Sequence, residues 1–75
     1  MNLHIDEEAD ALHLQLVDVP VVESEEVAPG IIVDYDASNQ VVGIEVLHLS
    51  KRPRPVNLTD FRFHATPKKS PAAAA

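Results

Sequence analysis

The side chains best equipped for chemistry in this sequence are carboxylates and imidazoles. Asp34-x-Asp36-x-Ser38, followed by Glu45, places oxygen side chains at positions 1, 3, 5 and 12 of a calcium-loop template. Calcium binding would need those hard oxygens to converge on one ion between two helices, with glycine at the sixth position. Here the sixth residue is Asn39, and the flanks Ile31-Ile32-Val33 and Ile44-Glu45-Val46-Leu47 read as strands. A hairpin pairing Tyr35 with Gln40 would set Glu45 opposite Gly30, far from Asp36, so an ordinary acidic turn is the stronger reading. His4 and His13 form a second candidate, two imidazoles facing each other across a strand pair. A metal there would need a third ligand such as Gln15 or Asp6, and exposed polar-face histidines are the commoner outcome. His48 and His64 have no motif spacing.

Nucleophilic chemistry has little to stand on. Cysteine is absent, and Ser24, Ser38, Ser50 and Ser70 lack an elbow motif. Asp6, Glu7, Glu8 and Asp10, like Glu25 and Glu26, read as solvated carboxylates, because neighbours on a strand point to opposite faces and no apolar pocket is evident to shift a pKa. Two glycines, Gly30 and Gly43, cannot make a phosphate-cradling loop. The expectation is a non-enzymatic protein with no catalytic residue and no cofactor.

The elements that must position these groups are strands. Leu3 and Ile5, then Leu12, Leu14 and Leu16, alternate with polar residues at period two. Joined through Glu7-Glu8-Ala9-Asp10, the two runs form an antiparallel hairpin with Ile5 opposite Leu12, Leu3 opposite Leu14 and His4 opposite His13, which gathers every large apolar residue on one face. A helix using Ala9, Leu12, His13 and Leu16 ranks second, since it would bury His13 and expose Leu14. Val21 to Val27 is extended but too acidic to bury much. Ile31 to Tyr35 and Val41 to Leu49 form a second hairpin around Asp36-Ala37-Ser38-Asn39, with Val33 opposite Val42 and Ile31 opposite Ile44. Its reverse face carries Ile32, Val41, Leu47 and Leu49, with a gap at Gly43. A later segment bearing Phe61 and Phe63, read as a final strand or a short helix, or a second copy of the chain, is expected to cover that face. Residues 51–56 read as a basic, Pro-rich linker within a single domain over residues 1–65, and residues 66–75 as a disordered tail.

Composition bounds the function. The chain has 75 residues, of which 25 are large and apolar, a thin core for a domain that buries only roughly 60% of its unfolded surface. Without cysteine it has no disulfides to compensate. No run approaches the roughly 18 apolar residues of a membrane span, and the first residues are acidic where a signal peptide is basic, so a cytoplasmic protein is expected. The net charge of −6 conceals a split: residues 1–50 hold eleven of the twelve Asp and Glu with no Lys or Arg, whereas residues 51–75 hold all six basic residues against Asp60. The formal charges of the two parts are −11 and +5. The acidic part repels polyanions and attracts a basic protein or a cation. Phe61 and Phe63, interleaved with basic residues, would suit single-stranded nucleic acid, but the core's need for them and the adjoining acidic sheet rank this reading lower.

Three blocks carry a family resemblance: Ile5 to Leu12, then Glu23 to Asp36, then Val41 to Leu47 with Ser50-Lys51-Arg52. In sequence and spacing they resemble the small prokaryotic domain of unknown function 2283 family, over about residues 1 to 52. The resemblance implies a short β-rich protein with a final apolar strand near the C-terminus, and no activity or catalytic residue. By analogy alone, genes for such domains beside small toxin-like proteins suggest an antitoxin-like role. The chain departs from the family in having Asn39 where glycine is usual and in its alanine tail.

The combined expectation is a mainly β domain, an antiparallel meander of four to five strands built from two hairpins, forming a homodimer through Ile32, Val41, Leu47, Leu49, Phe61 and Phe63. Its expected role is an interaction module whose acidic surface binds a basic protein. A divalent-metal or small-ligand module, using Asp34, Asp36, Ser38 and Glu45 or His4 and His13, is the alternative, followed by weak nucleic-acid binding through the basic segment.

Overall fold

In the computed structural model, which describes residues 1–69, five antiparallel strands form one sheet: β1 (Asn2–Asp6), β2 (Ala11–Gln15), β3 (Glu23–Ala28), β4 (Ile31–Tyr35) and β5 (Val41–Val46). A 3-10 turn, Leu49–Lys51, follows. The strand order is β1-β2-β5-β4-β3, so a two-stranded hairpin and a three-stranded meander meet edge to edge through β2 and β5. Composition explains the order. The apolar β5 (VVGIEV) takes the centre, while the fully exposed, acidic β3 (ESEEVA) takes an edge, where charge protects open backbone groups from unwanted pairing.

The first hairpin has the expected register, with Leu3 opposite Leu14, His4 opposite His13 and Ile5 opposite Leu12. The helical alternative for residues 9–16 is therefore excluded. Asp6 supports the turn by accepting the Ala9 N–H at 3.0 Å, and Asp10 adopts a left-handed φ of 57°.

The second hairpin differs from the expected pairing. Val33 faces Ile44 and Ile31 faces Val46, a shift of two residues along β5. The cause is a β-bulge: Asp34 pairs with Gly43 but Tyr35 pairs with Val41, leaving Val42 as the extra residue. The loop is then closed by the Asp36 N–H donating to the Gln40 carbonyl at 3.0 Å, with Asn39 in the left-handed region at φ 60°. Glu45 consequently faces Ile32 instead of Gly30.

Alternation assigns Leu3, Ile5, Leu12, Leu14, Ile31, Val33, Ile44 and Val46 to one face of the sheet. None of these eight is fully buried; among the described residues the fully buried apolar side chains are Val42 and Leu49. Residues 57–65 form neither a strand nor a helix. Leu58 and Thr59 make a turn stabilised by Asn57, whose side-chain oxygen accepts from the Thr59 N–H and hydroxyl, and the chain then continues without regular structure. Pro53 and Pro55 together with the turn-forming Asn57 favour an irregular arm over a ladder strand. This arm lies over the Leu3, Ile5, Leu12 and Leu14 side, opposite to the side bearing Ile32. Residues 66–69 are exposed and irregular; the rest of the expected tail, residues 70–75, lies outside the described residues. No helix among the described residues is long and apolar enough to cross a membrane.

Candidate functional site

The bulged register of β4 and β5 creates a polar cluster that the expected pairing did not contain. On the face opposite the apolar one, His13 of β2, Glu45 and Gly43 of β5, Asp34 of β4 and Ser24 of β3 fall on one patch crossing four strands. Asp34, only 3% exposed, is its centre. The Ser24 hydroxyl donates to Asp34 Oδ1 at 2.6 Å, and His13 Nε2 lies 3.3 Å from Asp34 Oδ2. That separation suits an ion pair when the imidazole is protonated, but the alignment is not that of a hydrogen bond, and the buried Nε2 has no hydrogen-bond partner. Burial pushes the Glu45 carboxyl above its usual value. The neighbouring Asp34 carboxyl adds to the rise by hydrogen bonding and by charge, against a lowering by His13.

Gly43 makes room for this cluster. A Cβ there would stand 3.0 Å from Asp34 Oδ2 and 3.1 Å from His13 Nε2, closer than ordinary van der Waals contact. Sequence reading found the residues but not the cluster, because Asp34, Glu45 and His13 share a patch only when Asp34 faces Gly43. Ser24, with no histidine nearby in sequence, is joined to His13 through Asp34. The carboxylate stands between hydroxyl and imidazole, so the cluster lacks the serine–imidazole hydrogen bond of a nucleophile and its base. Its evident effect is to tie β2, β3 and β4 together across β5.

The calcium-template residues separate. Asp34 and Glu45 join the cluster, whereas Asp36 is committed to its turn, its Oδ1 accepting from the Ser38 and Gln40 N–H groups at 2.9 and 3.0 Å. His4 stands opposite His13 on β1 and is exposed. Among the described residues no group of three or more His, Asp or Glu side chains is arranged to hold a metal ion.

A second polar contact closes the far end of the sheet. Asp10 accepts from the Ser50 N–H at 2.9 Å and from the Ser50 hydroxyl at 2.7 Å, while its carbonyl accepts from the Leu49 N–H. The Ser50 hydroxyl holds the Asp10 carboxyl below its usual value, assisted by the Ser50 N–H, His48 and Lys51 and opposed by desolvation. This clamp draws Leu49 into the core at 1% exposure, which removes it from the expected intermolecular surface. Of the other residues expected there, Ile32 and Leu47 are half-buried and Val41 is 44% exposed.

On the opposite face lies an apolar concavity. A trough of about 620 Å³ runs between Met1, Leu3, Ile5, Leu12 and Leu14 on the sheet and Val56, Leu58, Phe61 and Phe63 on the arm. Phe61 and Phe63 remain 63% and 74% exposed. Around this face the strands carry carboxylates but no Lys or Arg, and the exposed acids there include Glu7, Glu8, Glu23 and Glu25.

An acidic antiparallel sheet with an open apolar face and a basic arm is the class of molecule these features define. Residues 2–50 match the family described as protein of unknown function (DUF2283), and the chain belongs to that family. The match covers all five strands and the Asp10–Ser50 clamp and stops before the arm. No curated protein and no solved structure matches the chain.

Proposed function

We propose that this chain is a non-enzymatic interaction protein whose acidic sheet binds a basic protein partner. The observation that carries the reading is β3. It is an edge strand, paired only with β4, exposed along its whole length, and it presents Glu23, Glu25 and Glu26 on a sheet that has no Lys or Arg. Such an edge excludes acidic and neutral strands and steers a cationic surface toward it. If the partner is a small toxin, the role is antitoxin-like.

Affinity purification of the full chain from extract of its native host, at low salt, tests this. The expected result is a basic protein that elutes as salt is raised and is not retained by the triple variant Glu23→Gln, Glu25→Gln, Glu26→Gln. Recovery of the chain alone, or equal retention by the variant, would overturn the reading.

A further inference from the structure

The apolar face of the sheet is incompletely covered by its own chain. Ile31, Val33, Ile44 and Val46 stop short of full burial, and the arm shelters only the β1–β2 half while leaving Phe61 and Phe63 mostly in water.

Charge indicates what fits there. Among the described residues the arm's only ion pair is Arg62 with Asp60 at 3.4 Å; Lys51, Arg52, Arg54, Lys68 and Lys69 have no carboxylate within pairing distance. The strands beside the open face are entirely anionic. One chain therefore carries both halves of a complementary surface, an apolar face with an acidic border and an apolar arm with basic flanks, and does not satisfy either alone.

We propose that the occupant of this face is a second copy of the chain. The two sheets stack with their Leu3, Leu14, Val33 and Ile44 sides together, each copy's Phe61 and Phe63 close between them, and each basic arm runs along the other copy's acidic border. The contact is self-complementary, as a two-fold interface requires. It uses the face opposite to Ile32, so Glu23 and Glu25, which lie on the stacked side, belong to its acidic border while Glu26 faces away; it needs no basic partner, and sedimentation of the purified chain tests it separately from the affinity purification.

Sedimentation velocity on the full chain, from about 1 to 100 µM, is the test. The expected result is a species of twice the chain mass, with a dissociation constant raised roughly 100-fold by the double variant Phe61→Ser, Phe63→Ser. Both phenylalanines lie outside the strands, so the variant should retain the wild-type far-ultraviolet circular dichroism. A second variant, Leu14→Asp, places a charge in the stacked face and should give a monomer. A monomer across the whole concentration range would overturn the proposal. So would a dimer unchanged by the phenylalanine substitutions, or native mass spectrometry showing a monomer with a small apolar molecule bound.

Discussion

Asp34 is the side chain on which most of the polar face depends. It is buried, it accepts the Ser24 hydroxyl, and it is the nearest anion to His13 Nε2. Replacing it with Ala removes one side-chain hydrogen bond, returning the exposed Ser24 hydroxyl to water, and takes the neighbouring anion away from the buried His13 Nε2; a loss of about 1 kcal/mol in urea unfolding is expected. Gly43→Ala attacks the same cluster sterically, since the new methyl meets Asp34 and His13 at 3.0 and 3.1 Å, and should cost about 1–2 kcal/mol. The two carboxylates with shifted pKa values act in opposite directions with pH. Asp10 is lowered in the fold, so the stability it contributes is complete above its unfolded pKa and is lost as pH falls through its folded one. Glu45 is raised, so its ionisation opposes folding; the penalty is absent below its unfolded pKa and complete above its folded one. Glu45→Gln should therefore raise the melting temperature at neutral pH and leave it nearly unchanged near pH 4, whereas Asp10→Asn should lower it at neutral pH and converge on wild type in acid. Thermal melts across this range, read as variant minus wild type, separate the two effects.

At the scale of elements, the turn of the second hairpin offers a test of backbone strain. Asn39 holds φ 60°, a conformation glycine adopts without the steric cost an L side chain carries. Asn39→Gly should raise the free energy of unfolding by about 0.5 kcal/mol, seen as a higher urea midpoint with the slope unchanged. The same hairpin shows where sequence reading succeeds and where it stops. In β1 and β2 the alternation of Leu3, Ile5, Leu12 and Leu14 admits one register that puts all four together, and that register is present. In β5 the run Val41-Val42 permits either residue to face the core, so nothing in the side chains marks Val42 as the bulge. The polar cluster was hidden for the same reason, because the pairing of Asp34 with Gly43 follows from the bulge. The arm departs from its pattern for a different reason: Phe61-Arg62-Phe63 alternates as a strand does, but both open edges, β1 and β3, lack a ladder partner there. Alternation describes which face a side chain takes once a strand exists; it does not supply the neighbour that makes it a strand.

At the scale of the whole molecule, stability and association are one problem. Among the described residues two fully buried apolar side chains, Val42 and Leu49, make a small core, and most of the remaining apolar surface on the sheet is half-buried. A chain in this position gains its margin from whatever covers the open face. If a second copy covers it, folding and dimerisation are linked, and the melting temperature must depend on protein concentration. A hundredfold increase in concentration contributes about 2.7 kcal/mol per dimer by mass action, or about 1.4 kcal/mol per chain. For a domain of this size, 1 kcal/mol moves the midpoint by roughly 4–8 °C, so the shift should be about 5–10 °C between dilute and concentrated samples. The double variant Phe61→Ser, Phe63→Ser should melt at the wild-type dilute value and lose the dependence, because its weakened association no longer rewards concentration. Calorimetry on wild type and variant at two concentrations checks both statements, and a wild-type midpoint indifferent to concentration would place the whole stability of the fold within one chain.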